Sequence, residues 1–339
     1  MSESKAMILG CAGKALTAEE EAFFRAERPW GFILFARNIG SAEEVRALTA
    51  AMRACIGRPD APVFIDQEGG RVQRLKAPLA PAYPPAAEIG AVYRRDRDAG
   101  RRAAFLMSRL HAFDLKRLGV TADCLPVLDV PIEGANDVIG NRAYGRDPAT
   151  VADLGRAAAD GLLAGGVLPV MKHIPGHGRA FADSHLALPV VDAPLSDLRA
   201  QDFAPFRALR DLGMAMSAHV VYTAIDPEEP ATTSSKVVAE IIRGEIGFDG
   251  LLMSDDVSMN ALRGDHAART KRIFAAGCDV VLHCSGTMAD MQAVAANTPA
   301  LGGTPLERAM RALAPLGGDD GAEESTARAE FFNHLEAVA

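Results

Sequence analysis

At 339 residues, with 49% hydrophobic side chains, the chain can bury one large core or two small ones. Its formal net charge of −8, with Lys and Arg scattered along it, excludes the phosphate-neutralising excess on which non-specific nucleic-acid binding depends. There is no run of about 18 apolar residues to span a bilayer, the opening MSESKAMILGCAGK is a poor signal peptide, and five cysteines without Cys-x-x-Cys spacing read as reduced core thiols. A soluble cytoplasmic protein is expected.

A short β-branched or aliphatic run, a polar turn and a helical pattern recur along the chain. Ala6–Leu9 is the first run, and Thr17 with Glu20 forms a capping box that opens a helix. Gly31–Phe35 is the second, followed by a second box at Ser41 and Glu44, whose helix carries Val45, Leu48 and Met52 on one face. Pro62–Ile65 is the third and runs into Asp66-Gln67-Glu68-Gly69-Gly70. The passage Pro78–Pro85 is too proline-dense for regular structure. A long helix with Ala103, Leu106, Leu110 and Phe113 at helical spacing then stops at Gly119.

Val120–Val130 is the fourth run, and Asp147-Pro148 starts the next helix. Leu168–Met171 is the fifth, Met214–Tyr222 the sixth, Gly250–Met253 the seventh and Asp279–Leu282 the eighth. Ser196, Ser235 and Asp265 mark helix starts between them, and a Gly/Asp-rich spacer at Gly317–Gly321 precedes a terminal helix. Eight strand-like runs alternating with helices imply parallel strands and crossover helices. They fit a closed (β/α)₈ barrel of the TIM type. The competing doubly wound sheet wants a Gly-rich phosphate loop after its first strand, and Gly10-Cys11-Ala12-Gly13-Lys14 is not one.

Polar residues fall where strands end: Asp66, Asp129, Lys172-His173, His219, Asp255 and His283. In a barrel these ends surround one mouth, where catalytic groups gather. Taken singly, Asp129 reads as a turn or cap residue, His219 and His283 as hydrogen-bonded strand ends, and His111, His266 and His334 as surface helix positions. Asp255 closes the apolar stretch Gly250–Ser254, so burial favours a neutral carboxyl unless a cation such as Lys172, Arg74 or Arg142 holds it ionised. A fixed carboxylate there suits a nucleophile facing an oxocarbenium ion. Asp256 is expected to point to the opposite face of the strand. Asp183-Ser184-His185, beyond Gly176 and Gly178, places a carboxylate where it can orient an imidazole for proton transfer, or simply hydrogen-bond within a loop.

These segments resemble glycoside hydrolase family 3, and in particular its bacterial β-N-acetylhexosaminidases. Gly250–Asp255, preceded by Ile241-Ile242-Arg243 and Glu245, is similar to the family's nucleophile signature. The stretch from Asp66 to Arg74 resembles its sugar-binding segment, Lys172–Gly178 its substrate loop, and Asp183-Ser184-His185 the His–Asp dyad of this branch. The resemblance covers roughly residues 6 to 300. It implies Asp255 as nucleophile, His185 as acid/base assisted by Asp183, and Asp66, Arg74, Arg142, Lys172 and His173 as sugar-binding groups. It also implies a single catalytic domain over 1–339, with the barrel at about 6–300 and a C-terminal helical extension at 301–339. The residues after 300 are too few for the second α/β domain of many relatives.

The family substrate is a muropeptide fragment, N-acetylglucosamine β-1,4-linked to anhydro-N-acetylmuramic acid, recycled in the cytoplasm. One Trp and four Tyr leave few stacking platforms for a long polysaccharide, so a small soluble amino sugar is the expected partner. No cofactor, metal, nucleic acid or membrane partner is expected, and the chain reads as a monomer or weak homo-oligomer. Three rivals are a phosphorylase on the same site, a metal-dependent hydrolase barrel using His173, His177, His219 and His283, and a non-enzymatic sugar-binding barrel. The metal barrel wants a His-x-His on the first strand, and Leu9-Gly10-Cys11 offers none.

Overall fold

The computed structural model describes residues 4–180 and 188–336. Its strands are β1 (Lys5–Leu9), β2 (Pro29–Leu34), β3 (Val63–Ile65), β4 (Ala122–Asp123), β5 in two pieces (Leu168–Pro169 and Met171–Ile174), β6 (Met214–Ser217), β7 (Leu251–Asp256) and β8 (Val280–His283). Neighbours are parallel throughout. The first piece of β5 pairs with β4, Leu168 opposite Ala122, and the second with β6, Met171 opposite Ala215. Met7 of β1 lies opposite Val281 of β8, so the ladder returns on itself. The fold is a (β/α)₈ barrel.

Alternation along the strands divides the core in two, as a two-residue period requires. Ala6, Ile8, Ile33, Phe64, Val170, Met216 and Met253 fill the barrel interior, together with Trp30. Met7, Leu9, Phe32, Leu34, Val63 and Ile65 pack outward against the helices. Helix α1 (Ala18–Glu27) and helix α2 (Ala42–Ile56) both begin with the expected capping boxes. Asp147 caps α5 (Pro148–Ala164), and Asp265 caps α6 (His266–Ala276), which Gly277 ends at φ +104°.

Several sequence expectations shift. The long helix is preceded by a separate one: α3 (Ala86–Arg95) stops at Asp96, whose carboxylate accepts the N–H groups of Asp98 and Ala99 and so opens α4 (Arg97–Lys116). The fourth strand shrinks to Ala122–Asp123, because Pro126 has no N–H to continue a ladder. Ser235 does precede the helical stretch Val237–Glu245, whose Val237 N–H is accepted by Ser234 Oγ, whereas the helical turn at Leu195–Asp197 starts after Pro194 rather than being capped by Ser196. His111 is buried on α4, not a surface residue, in edge contact with Tyr83.

Beyond the barrel, Leu301, Ala309, Ala312 and Leu313 close the end opposite the mouth; the last three lie on α8 (Gly303–Leu313), which follows α7 (Met288–Ala296). Helix α9 (Glu324–Glu336) lies on α4, with Phe331 fully buried and Arg102–Glu330 and Arg117–Glu324 bridging the two helices. The tail is thus packed onto the barrel.

Candidate active site

The carboxyl ends of the strands meet at a cavity of about 250 Å³ bordered by Asp66, Arg74, Arg142, Lys172, His173, His177, Asp255 and Asp256, with Phe35 and Cys284 among its walls. This is just below the size of ordinary small-molecule pockets, roughly 300–1,000 Å³. It suits one compact ring.

The β3 end reaches the cavity through a short hairpin, Gln67–Gly69 against Val72–Gln73. Gly69 turns it at φ +93°, where an added Cβ would lie 2.4 Å from the Pro84 carbonyl oxygen. The Gln67 side-chain oxygen accepts the N–H groups of Arg74 and Leu75, so the residues before and after the turn are locked together. This hairpin brings Asp66, Glu68 and Arg74 to one side. Lys172, on β5, then bridges Asp66 Oδ1 at 2.8 Å and Glu68 Oε1 at 2.6 Å. Arg74 holds the other Asp66 oxygen at 3.0 Å, and Arg142 grips Glu68 with two bonds of 2.8 Å.

Burial alone would push both carboxyl groups up. Arg142 and Lys172 outweigh it at Glu68 and hold its pKa at about 2; Lys172 and Arg74 hold Asp66 well below the usual carboxylate range. Burial would likewise lower Lys172, and its two carboxylate partners raise it instead. The two carboxylates and three cations are thus pinned to one another by short charge-assisted hydrogen bonds, an arrangement that can hold polar ligand groups without reorganising.

A second cluster backs this one. Asp129 is fully buried; one oxygen lies 2.7 Å from His173 Nδ1, and the other accepts the N–H groups of His173 (3.2 Å) and His177 (2.7 Å). Burial raises its pKa, but His173 and these hydrogen bonds outweigh that and bring it to about 2. Asp129 is thus no turn cap: it fixes the His173 ring, leaving Nε2 as that ring's other polar atom. His177 has its pKa pushed down to about 4 by burial and by His173.

On the opposite wall, Asp255 Oδ1 accepts the Asp256 N–H at 2.7 Å, and Asp256 Oδ1 accepts the N–H groups of Ser258 and Cys284 at 3.0 and 3.1 Å. Both aspartates border the cavity. The expected opposition of their side chains fails because the β7–β8 register shifts between Met253 and Asp256, breaking strict alternation at the strand end. Burial, with Asp255 adding to it, raises the Asp256 pKa. The cations expected to serve Asp255 are engaged elsewhere: Lys172, Arg74 and Arg142 pair with Asp66 and Glu68. The Asp255 charge acts on His177 and His219. His219 itself is buried between Thr232 Oγ1 and the Asp256 carbonyl, at 2.8 and 3.0 Å. His283 does not border the cavity. Asp183 and His185 lie outside the described residues.

The glycosyl hydrolase family 3 N-terminal domain matches residues 5–308. The chain belongs to glycosyl hydrolase family 3. A β-hexosaminidase of Stenotrophomonas maltophilia is 38% identical over 304 residues, 87% of this chain and 89% of that one. Another, of Alkalilimnicola ehrlichii, is 41% identical over 284 residues, 82% of this chain and 80% of that one. The NagZ structure of Neisseria gonorrhoeae in complex with N-trifluoroacetyl-D-glucosamine aligns with a TM-score of 0.85 at 32% identity, covering 99% of this chain and 97% of that one. This family 3 member is a glycoside hydrolase, and its barrel is the family's.

Two residues that hold the cavity's lining from behind, Glu68 through Arg142 and Lys172 and Asp129 through His173, were not among the sugar-binding or catalytic residues expected from the sequence. Asp129 did carry a signal: it is an acidic residue inside the otherwise apolar stretch Leu125–Val130, a placement that burial tolerates only when the charge is paired.

Proposed function

We propose that this family 3 enzyme is a retaining exo-β-N-acetylglucosaminidase. It would remove non-reducing terminal N-acetylglucosamine from small soluble muropeptide fragments in the cytoplasm, as part of peptidoglycan recycling. The observation that carries the reading is Asp255 at the end of β7, bordering the same ring-sized cavity as the pinned set Asp66, Arg74, Arg142 and Lys172. His173, oriented by Asp129, completes the binding groups. Similarity to β-hexosaminidases and to a NagZ bound to an N-acylated glucosamine supports the choice of sugar.

In the first step the Asp255 carboxylate attacks the anomeric carbon as the glycosidic C–O bond breaks, and His185 gives its proton to the leaving oxygen. In the second, His185 takes a proton from water, the hydroxide forms the new C–O bond and the aspartyl ester breaks, so configuration is retained. Asp183 orients the imidazole. This arrangement departs from the usual pair of carboxylates.

The test is turnover of an aryl β-N-acetylglucosaminide with and without phosphate, followed by mass analysis after a slow fluorinated substrate. The expected results are rates independent of phosphate and a sugar mass added at Asp255. An unlabelled Asp255 would sink the covalent mechanism, and product appearing as sugar phosphate would make the enzyme a phosphorylase.

A further inference from the structure

Behind the β8 end, outside the mouth cavity, two histidines and an aspartate converge. His283 is the last residue of β8 and fully buried. His266 is the first residue of α6, and Asp290 lies in the first turn of α7. The two imidazole rings meet edge to face with centroids 5.6 Å apart. One ligand atom from each of the three residues lies within 4.8 Å of the other two. His266 Nδ1 is 3.4 Å from Asp290 Oδ1.

The hydrogen bonds are incomplete in an informative way. His283 Nδ1 and His266 Nε2 are buried and have no partner among the described residues. A buried polar nitrogen left unmet is destabilising, and here two such atoms belong to one cluster. The outer nitrogen of His283 is supported: Nε2 lies 3.1 Å from Ser285 Oγ, which also accepts the Thr287 N–H. With Nε2–H donating to that oxygen, the Nδ1 lone pair is free, the tautomer a metal-ligating histidine adopts.

We propose that His266, His283 and Asp290 form a binding site for a transition-metal ion of the zinc class, separate from the chemistry at the mouth. Two imidazoles and one carboxylate select Zn²⁺, Co²⁺ or Ni²⁺ over Mg²⁺ and Ca²⁺, which prefer oxygen. Zinc–nitrogen bonds of about 2.0–2.1 Å require the ligand atoms to draw closer than they now stand. His283 is fixed, whereas the side chains of His266 and Asp290 are 22% and 33% exposed and have room to move. Their exposure also leaves a fourth position for water. The helix N-termini that carry His266 and Asp290 disfavour a cation, so affinity rests on the inner-sphere bonds. The bound ion would clip the end of β8 to α6 and α7, one residue before Cys284, which borders the cavity and donates its N–H to Asp256.

The test uses the full chain, stripped with a chelator and titrated with Co²⁺ and Zn²⁺ by calorimetry and visible absorption. One equivalent is expected to bind at this cluster and raise the melting temperature. Both His266→Gln and Asp290→Asn should weaken that class of site about 10-fold or more, in line with the losses that even outer-shell changes cause. These partly exposed positions are chosen because a buried His283 variant could fail to fold. No binding to the parent chain would mean that only water fills the gap, and would overturn the proposal. So would an affinity changed less than that in either variant, because the metal would then sit elsewhere.

Discussion

On the wall of the cavity built from β3, β5 and the hairpin between Gln67 and Gln73, each buried carboxylate is answered by a cation: Asp66 by Lys172 and Arg74, Glu68 by Lys172 and Arg142. On the wall built from β7 and β8, Asp255 and Asp256 stand side by side and accept backbone N–H groups from Asp256, Ser258 and Cys284. The first wall has each carboxylate paired with cations before any ligand arrives, and it can hold polar ligand groups rigidly. The second keeps negative charge together at the point where positive charge would develop on an anomeric carbon. On the proposed reading, binding and chemistry fall on opposite sides of one small space, and substitutions on the two sides should fail differently.

The largest effect is expected on the chemical side. Asp255→Ala should lower kcat/KM on the order of 10⁴-fold or more, as removal of a nucleophile does, while the melting temperature holds or rises. A variant that unfolds instead would show that Asp255 belongs to the structural network of the other wall. On that wall the pattern reverses. Lys172→Met leaves Asp66 and Glu68 buried without the cation they share, and breaking such a network from one side costs roughly 3–5 kcal/mol. Urea unfolding should record that loss, and KM should rise more than kcat falls. If stability is untouched, Lys172 does not hold the two carboxylates as the geometry indicates.

A substitution remote from both walls provides the reference. Phe331→Ala, in the tail helix against α4, removes a fully buried ring and should cost about 3 kcal/mol. Turnover by the folded enzyme should not change. A fall in turnover would show that the tail steadies the mouth through α4.

The strand ends were legible because short, mostly apolar runs stop abruptly at charged residues. Asp66, Lys172, His173 and Asp255 all occupy such breaks and all border the cavity. What the pattern could not show is how the chain bends after the strand stops. Glu68 is brought in by a hairpin whose direction depends on Gly69 and on the Gln67 side chain holding Arg74 and Leu75. Asp256 comes to the cavity through a register shift that no alternation rule contains. His111, by contrast, was readable: it lies four positions after Met107 on the buried face of α4, and both are fully buried. Its polarity suggested a surface that the helical period denies.

Acid titration should show the smallest effect, and it separates the two walls by sign. Glu68 and Asp129 fold with pKa values of about 2, below the ordinary 4.5 and 3.8. The unfolded chain therefore takes up protons first as the pH falls. The stability these groups contribute is complete above their unfolded values and drains away on the way down to about pH 2, each adding a slope of up to about 1.4 kcal/mol per pH unit. Asp256 behaves in the opposite way. Its folded pKa is raised by burial, so the fold keeps a proton that the unfolded chain loses, and stability falls as pH rises above the ordinary value. Near pH 4 to 5, roughly where both windows overlap, the parent enzyme should show a muted slope in its urea midpoint. Glu68→Gln should flatten the acid limb further, whereas Asp256→Asn should steepen it by removing the opposing group. Parallel slopes for the two variants would mean that the walls do not differ in how their carboxylates are held.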